Sequence, residues 1–544
     1  MPVMDNRAVY AAVPALIWSS FVYVVQSVGI IMLFRYYSSP PRKPVSPDLP
    51  KDELPHITII RPVKGLEPEL YACLAATFRQ SYPASHLHIS LCVSSEDDPA
   101  YPVLEKIVED FSSTHDVRLL VEEYDPLLSG LDGTNLGPNP KIRNISRAYR
   151  EAKGDLIWII DCNVWISRGV AGRMVDRLMG FLPDGQKTTP YRFVHHMPLV
   201  VDITPSAEET GKAQAPESLW KRVWRTAGGG LDAMFFTTTH AKFYGAINTV
   251  GVAPCIIGKS NMFRKSHLDK YTDPAHNHNL SPASYSRGTG VDFFSSNICE
   301  DHLIGDLLWK ADIPGYRKHG LVWGDICIQP VCGVSVAAYA GRRVRWLRAR
   351  KWTVLLATLV EPGVESLLCN ALFAYAATTL PFFNTIFGIP RTWSATVTGW
   401  ALGVGIWAAC DRAVYRRLHR LLTVEVDEDT PAFARGSHGS DRMPFREWLP
   451  TWLGREFLAF PIWTWAVLLG STVTWRGKTF KVRTDMSVVA LDDRTSTNQD
   501  GRVVEGFDAS VEEKDDGHPE MQATPQWEGR PTATKRKSRG FISS

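Results

Sequence analysis

The sequence predicts an α/β protein, with a mostly parallel, doubly wound sheet and transmembrane helices near both ends of the chain. Three observations support this prediction. The run from Leu156 to Ile160 is apolar at every position, which is typical of a central parallel strand buried on both faces. From His56 onward, strand-like and helix-like patterns alternate. Four long stretches without any charged residue are each long enough to cross a bilayer.

The first uncharged stretch predicts an N-terminal transmembrane anchor over residues 10–34, after a short segment at 1–9. It is longer than the apolar part of a signal peptide, so we expect it to stay uncleaved. A Pro- and Lys-rich linker covers 35–55. Basic residues follow the anchor, whereas only Arg7 precedes it, so the positive-inside rule places the large domain in the cytosol; they are Arg35, Arg42, Lys43 and Lys51.

The C-terminal part of the chain predicts a membrane region over residues 353–483 and a disordered polar tail over 484–544. Three uncharged stretches in this region predict spans near 366–390, 392–410 and 457–475. Four spans in all would return the C-terminus to the outer side, whereas a basic cluster after the last span favours the cytosol. The number of true spans and the side of the C-terminus therefore stay open.

Residues 56–352 predict one large cytosolic domain. In its first half the pattern predicts strands at 57–63, 88–93, 117–122 and 156–160, and helices at 67–79, 101–111 and 141–152. The second half is less regular. There the pattern predicts a surface insertion at 204–230, a further strand at 252–258 and a helix at 299–310.

The composition gives no indication of a nucleic-acid-binding protein, a disulfide-bonded protein or a zinc protein. A formal net charge of +3 gives no support for a nucleic-acid partner. The nine cysteines show no Cys-x-x-Cys pair and no histidines at zinc spacing. We therefore expect reduced thiols rather than disulfides or a structural zinc site.

Asp161 and Asn163 directly follow the predicted central strand. In open α/β sheets, ligands bind outside the carboxyl ends of such strands. Two oxygen ligands on a tight turn suit a hard cation that is shared with a substrate phosphate. The structural alternative is an Asx turn that merely closes the strand.

Two further acidic residues follow or begin predicted elements: Asp98 comes after the second strand, and Asp301 lies at the start of a helix. Downstream, Arg342, Arg345 and Trp346 form an Arg-x-x-Arg-Trp motif just before the first C-terminal membrane stretch. Three acids followed by this motif and by membrane spans resemble the membrane-bound nucleotide-sugar glycosyltransferases of the processive-synthase type.

A closer resemblance is to the ceramide glucosyltransferase family, and in particular to its fungal members. It runs from about residue 57 to about residue 481. It rests on six motifs: Arg61-Pro-Val-Lys-Gly65, Asp97-Asp-Pro-Ala100, Asn139-Pro-Lys141, Asp155-Leu-Ile-Trp-Ile-Ile-Asp161, Glu300-Asp301 and Arg342-x-x-Arg-Trp346. The insertion at 204–230 and the polar tail depart from the compact family pattern, and neither is given a role.

The resemblance implies a GT-A-like nucleotide-diphospho-sugar transferase. Such an enzyme moves glucose from UDP-glucose to the primary hydroxyl of ceramide with inversion, giving β-glucosylceramide and UDP. The resemblance also implies an integral protein of the Golgi membrane, in contact with the lipid bilayer, whose catalytic domain faces the cytosol. A Mg²⁺ or Mn²⁺ ion would be held by Asp161, with Asn163 as a second ligand, and would neutralise charge on the diphosphate.

Carried over motif by motif, the resemblance assigns roles to further residues. Lys64, Asp98 and Lys141 would bind the donor, together with Asp161. Asp301 would be the general base that takes the proton from the ceramide hydroxyl, with burial and the neighbouring Glu300 raising its pKa.

The same resemblance places Arg342, Arg345 and Trp346 beside the acceptor and the diphosphate, where Arg suits phosphate and Trp suits a sugar face or a lipid edge. His240 and Cys255 fall in regions that are similar in the family, and together with Glu300 they are predicted to line the donor or acceptor pocket.

Each of these signals has a structural alternative. An acidic pair such as Glu300 and Asp301 is also common at the N-terminus of a surface helix. The basic stretch around Arg345 also fits an amphipathic helix at the membrane surface. His240 and Cys255 also fit packed core residues. At the level of function, the alternatives are a processive polysaccharide synthase of chitin or hyaluronan type, and a non-catalytic membrane scaffold that binds UDP-sugar or lipid.

Overall fold

The computed structural model describes residues 6–129, 136–205, 218–278, 280, 287–436, 441–475 and 478–491. Its helices are α1 (Asn6–Tyr36), α2 (Leu70–Ala75), α3 (Tyr101–Phe111), α4 (Pro126–Ser129), α5 (Pro140–Arg150), α6 (Val170–Met179), α7 (Leu219–Thr226), α8 (Gly228–Phe235), α9 (Ala241–Val250), α10 (Lys265–Thr272), α11 (Glu300–Lys310), α12 (Val336–Arg350), α13 (Leu355–Val360), α14 (Ser366–Thr379), α15 (Pro381–Phe387), α16 (Trp393–His419) and α17 (Phe445–Trp463). Its strands are β1 (Ile57–Pro62), β2 (Leu87–Val93), β3 (Asp116–Val121), β4 (Leu156–Ile160), β5 (Trp165–Ile166), β6 (Tyr191–Asp202), β7 (Ser260–Arg264), β8 (Arg317–Val331), β9 (Thr472–Trp475), β10 (Lys478–Val482) and β11 (Val488–Ala490).

The main sheet has eight strands in the order β3-β2-β1-β4-β7-β6-β8-β5. Strands β3, β2, β1 and β4 run parallel to one another, and β6 runs parallel to β8. Strands β7 and β5 pair antiparallel with their neighbours. The predicted α/β class with a mostly parallel sheet is therefore confirmed.

Helices cover both faces of this sheet. Strand β4 is buried at every position, and its side chains alternate between two apolar clusters. Trp158 and Ile160 pack on one face with residues of α2, α3 and α6, whereas Ile157 and Ile159 pack on the other with residues of α5 and α11. Burial on both faces explains why the strand is an unbroken apolar run, and it confirms the doubly wound arrangement.

The second half of the domain is more regular than predicted. Residues 252–258, which were expected to form a strand, lie in turns and coil, and the strand is Ser260–Arg264 instead. Strands β6 and β8 were not predicted. Each carries polar side chains and an interior proline or glycine, such as Pro198 and Gly320, which hide the strand pattern.

The structure differs from the predicted surface insertion at 204–230 in the last part of that range. Residues 206–217 lie outside the described residues. The run Gly228–Gly230 is buried and opens α8 rather than forming a surface loop. A Cβ atom on Gly229 would lie 2.5 Å from a carboxylate oxygen of Asp202, so glycine is what allows the helix to pack this closely.

Helix α1 is long and apolar enough to span a membrane over Ala8–Tyr36. Within the described ranges no other single helix meets the same test, and the segments Leu355–Val364 and Ser366–Thr379, bent by 72°, meet it only as one broken span. Helix α1 packs tightly against α9. A Cβ atom on Gly29 would lie 2.1 Å from the carbonyl oxygen of Lys242 in α9.

The C-terminal region differs from the three predicted spans. The stretch 366–390 forms two helices, α14 and α15, and Pro381 begins the second because it has no N–H to continue the first. The stretch 392–410 lies within α16. The stretch 457–475 is not a single helix, since α17 ends at Trp463 and the last part of the stretch is strand β9.

Regular structure also extends past residue 484, where the disordered tail was expected to begin. Strand β11 pairs with β10, which pairs with β9, in a small antiparallel sheet. The rest of the predicted tail, 492–544, lies outside the described residues.

A buried ion pair joins α9 to α16. The ammonium of Lys242 donates to the carboxylate of Asp411, and these side chains are 1% and 0% exposed. Trp452 donates its indole N–H to the other carboxylate oxygen at 2.9 Å. Lys242 also lies over the ring of Trp407, 4.7 Å from its centroid. The pair thus links the α/β domain to the C-terminal helices.

We expect Asp411→Ala to lower the stability of the protein by about 3–5 kcal/mol, because Lys242 would keep a buried charge without its partner. Thermal unfolding of the purified protein in detergent measures the effect as a lower midpoint. The double variant Lys242→Met, Asp411→Leu removes both charges and should recover most of the loss. An equally unstable double variant would contradict the prediction.

Candidate active site

The candidate site lies at the carboxyl end of β4. Asp161 directly follows this strand, and its backbone N–H donates to the carbonyl oxygen of Lys259 at 3.1 Å. This bond extends the antiparallel pairing of β4 with β7 by one residue, beyond Ile160 and Ser260. As a result, Lys259 stands directly across from Asp161.

Lys141 is the centre of the site. Its ammonium nitrogen lies 3.2 Å from Oδ1 of Asp161, 3.2 Å from Oε1 of Glu300 and 2.8 Å from Oδ2 of Asp301. The side chain of Asn139 caps α5 by accepting the backbone N–H of Lys141 at 2.8 Å, and it donates to Oε2 of Glu300 at 3.0 Å. A cation in the first turn of a helix is disfavoured by the helix dipole, and here three carboxylates outweigh that cost.

The close packing of these charges shifts their pKa values. Burial alone would lower the pKa of Lys141, but Asp161, Asp301 and Glu300 more than offset it, so that pKa lies well above its ordinary value. Burial would raise the pKa of Asp161, but Lys141 and Lys259 hold it below its ordinary value. Burial and the charge of Asp301 raise the pKa of Glu300 to about 7.

Asp301 is the member of the Glu300–Asp301 pair that is open to approach. Its side chain is 18% exposed, against 4% for Glu300. Both acids lie in the first turn of α11, where the helix dipole favours negative charge. A Cβ atom on Gly258 would lie 1.9 Å from Oδ2 of Asp301, so the carboxylate fits only because residue 258 has no side chain.

Asp161 and Asn163 lie close enough to share one cation. The ammonium of Lys259 is 3.1 Å from Oδ2 of Asp161 and 3.5 Å from Oδ1 of Asn163. These hard oxygens fit Mg²⁺ or Mn²⁺, which are commonly held by one or two carboxylates together with substrate phosphates. Over the described ranges, no three His, Cys, Asp or Glu side chains are placed to hold a metal by themselves.

Lys64 and Asp98 form a second group, at the ends of β1 and β2. The two side chains are paired at 3.0 Å, and Asp98 also accepts the backbone N–H of Gly65 at 2.8 Å and of Ala100 at 3.0 Å. Burial would raise the pKa of Asp98, but these hydrogen bonds and Lys64 hold it below its ordinary value. Lys64 remains 42% exposed at this edge of the sheet.

The Arg-x-x-Arg-Trp motif forms a third group, on α12. Arg342 donates to the buried carboxylate of Asp232 in α8. Trp346 packs edge-on against Phe236, with ring centroids 5.6 Å apart, and Arg345 is half-buried on the same helix. The motif therefore packs against α8 and the adjoining Phe236. Helix α12 is not a freely exposed amphipathic helix.

Two of the predicted pocket residues, His240 and Cys255, lie near α12. The ring of His240 packs 5.0 Å from that of Phe236, and burial together with Arg343 and Arg350 lowers its pKa to about 3. Burial raises the pKa of the Cys255 thiol to about 12. His240 and Trp346 thus contact the same Phe236 ring, and a role in a substrate pocket stays a prediction for His240 and Cys255.

Sequence reasoning missed three residues of the site: Lys259, Gly258 and Asp232. Lys259 and Gly258 were missed because the strand was predicted at 252–258, whereas it begins directly after Lys259. With the strand at Ser260–Arg264 paired to β4, both residues fall beside the carboxylates. Asp232 gave no local signal, because its role depends on the packing of α8 against α12.

Comparisons with known proteins give matches over most of this chain. A model of glycosyl transferase family 21 matches residues 19–204 and 281–488. The ceramide glucosyltransferase of Pyricularia oryzae is 58% identical over 495 residues, which is 90% of this chain and 96% of that protein. The ceramide glucosyltransferase of Gibberella zeae is 50% identical over 497 residues, 88% of this chain and 93% of that protein.

Likeness to solved structures is weaker. A mannosyltransferase from Pyrobaculum calidifontis, in complex with GDP-Man and Mn²⁺, covers 75% of this chain and 97% of its own, at 14% identity and a TM-score of 0.37. That score is too low to support any inference. The family model and the long matches to two ceramide glucosyltransferases are sufficient, and this chain belongs to glycosyl transferase family 21.

Proposed function

We propose that this protein transfers glucose from UDP-glucose to the primary hydroxyl of ceramide, giving β-glucosylceramide and UDP. The observation that carries the proposal is the group of three carboxylates around Lys141, at the carboxyl edge of the sheet, in a member of glycosyl transferase family 21. In open α/β sheets this edge is where ligands bind.

The donor binds to the parallel half of the sheet, which serves as the nucleotide-binding part of a GT-A-like domain. Lys64 and Asp98 lie at the ends of neighbouring strands and hold the uridine nucleotide. Lys141 approaches the diphosphate from the N-terminus of α5. The diphosphate is a stronger anion than a carboxylate, so it draws the ammonium of Lys141 away from Asp301.

A Mg²⁺ or Mn²⁺ ion, held by Asp161 and Asn163, would neutralise the charge that builds on the diphosphate as the bond to glucose breaks. Lys259 contacts the same two oxygens. When the ion takes these oxygens, the Lys259 ammonium is released toward the arriving diphosphate and adds a second positive charge there.

Asp301 is the general base. Once Lys141 has turned to the diphosphate, the Asp301 carboxylate accepts the proton of the ceramide hydroxyl as its oxygen attacks the anomeric carbon. The bond from glucose to UDP breaks on the opposite face, so the α-linked donor gives a β-glucoside. Gly258 leaves room for this carboxylate at the edge of the site.

The acceptor approaches from the side of α12. Arg342, Arg345 and Trp346 lie on this helix, with Arg342 fixed by Asp232. Because ceramide is a membrane lipid, a site tied to an anchored helix lets it react without leaving the bilayer. The catalytic domain faces the cytosol, and the membrane is that of the Golgi.

Asp301→Asn should lower glucose transfer from labelled UDP-glucose to ceramide by about 10²–10⁴-fold, because the amide cannot accept the proton. Membranes that carry the protein give the rate, with chelated metal as a second arm. Asp306→Asn, on the same helix and paired with Lys310, is the matched control and should keep its activity. A polymeric product, or UDP-sugar binding without transfer in the unmodified protein, would overturn the proposed function.

The transfer rate should fall as the pH falls through about 7, where Glu300 takes up a proton. With Glu300 neutral, Lys141 loses one of its charged partners and its ammonium is held more closely by Asp301, which hinders its move to the diphosphate. Glu300→Gln is neutral at every pH, so its rate should stay low and flat between about pH 6 and 8. A pH profile of kcat/KM measures this, and an unchanged acid limb in the variant would assign that limb to another group.

Lys259→Ala should lower the concentration of Mn²⁺ needed for half-maximal activity by about three- to tenfold, because lysine and metal compete for the same oxygens. Binding of Mn²⁺ followed by electron paramagnetic resonance gives a reading that is independent of turnover. Lys265→Ala removes a lysine that pairs with Asp269 instead and serves as the control. Identical Mn²⁺ titrations for Lys259→Ala and the unmodified protein would show that the two cations do not share a site.

A further inference from the structure

Helix α7 exposes every side chain from Trp220 to Arg225. Trp220 is 72% exposed, Val223 42% and Trp224 48%. The two indole rings lie 6.1 Å apart, one helical turn from each other. Large apolar side chains grouped on a surface in this way mark a site of interaction rather than ordinary solvent-exposed surface.

The remaining side chains between Trp220 and Trp224 and just after them are basic. Lys221, Arg222 and Arg225 are all exposed, and the helix contains no acidic residue. At 100° per residue, Trp220, Val223 and Trp224 fall on one side of the helix and the three basic residues on the other. A helix with tryptophan on one face and Lys and Arg on the other is typical of segments that lie in a membrane interface.

The side chains of α7 have little support from the protein. The helix has eight residues and is continued at its C-terminal end only, where α8 begins after Ala227. Burial against the protein contributes little, because every side chain from Trp220 to Arg225 is exposed. A surface that takes up the tryptophans would supply the missing stabilisation.

The neighbours of α7 identify that surface. The helix packs against α12 and α8, which carry Arg342 and Asp232. Beyond α12, helix α13 exposes Leu355, Leu356 and Leu359, of which Leu356 is 75% exposed. Exposed apolar side chains therefore lie on two helices, α7 and α13, that both contact the helix carrying the Arg-x-x-Arg-Trp motif.

We propose that α7 is an interfacial anchor that binds the surface of an anionic lipid leaflet. Trp220, Val223 and Trp224 enter the headgroup region, and Lys221, Arg222 and Arg225 contact lipid phosphates and carboxylates. This lipid-binding role of α7 goes beyond the proposed function, since it does not depend on sugar transfer. Its effect is to hold α12 at the lipid surface independently of α1.

The test measures amide hydrogen exchange of α7 in the full-length protein, reconstituted in lipid nanodiscs. One set of discs contains phosphatidylcholine alone, and the other contains phosphatidylcholine with phosphatidylserine. We expect exchange in residues 219–226 to be at least about tenfold slower in the anionic discs. Because the readout is independent of turnover, it can fail while the proposed function stands.

Two variants separate the contributions. Lys221→Glu with Arg222→Glu should abolish the difference between the two kinds of disc, whereas Trp220→Ser with Trp224→Ser should speed exchange in both. Lys270→Glu and Tyr124→Ser change exposed residues elsewhere and should leave α7 unaffected. Exchange that is equal in anionic discs, neutral discs and detergent would overturn the proposal, as would protection that appears only with rising protein concentration and so indicates a second protein.

Discussion

The candidate site depends on one buried ammonium group. Lys141 binds three carboxylates that come from two parts of the chain far apart in sequence, the end of β4 and the start of α11. Like charges this close could not all stay ionised without it. The ammonium therefore fixes where the N-terminus of α5, the end of β4 and the N-terminus of α11 meet. It also explains why a lysine is tolerated in the first turn of a helix.

The sequence predicted the fold best where local pattern and tertiary environment agree. Strand β4 is apolar throughout because both of its faces are buried, and β1 and α3 follow ordinary periodicities. The prediction failed where a strand's environment is set by distant partners. Strands β6 and β8 pair with each other and carry polar residues and prolines at buried positions, such as Arg192, His195 and Pro198, which no local pattern identifies as strand.

The candidate site divides in the same way. The resemblance to a known family identified Lys141, Asp161 and the Glu300–Asp301 pair, and the structure brings them together. It did not identify Lys259, whose position follows from the register between β4 and β7. When a strand is predicted a few residues too early, its pairing register is wrong and the residues beside it are assigned to the wrong positions. Residues such as Lys259 can therefore be recognised only once the pairing of the strands is known.

The contact between Gly29 and Lys242 changes how the N-terminal helix should be regarded. With no side chain at residue 29, the backbones of α1 and α9 come close together. Helix α1 is thus part of the packed structure and does not act as a flexible linker to the membrane. Deleting α1 to obtain a soluble enzyme would expose the face of α9 that it covers. A foreign transmembrane helix of equal hydrophobicity would not restore this packing, because it would lack a glycine at the position of Gly29.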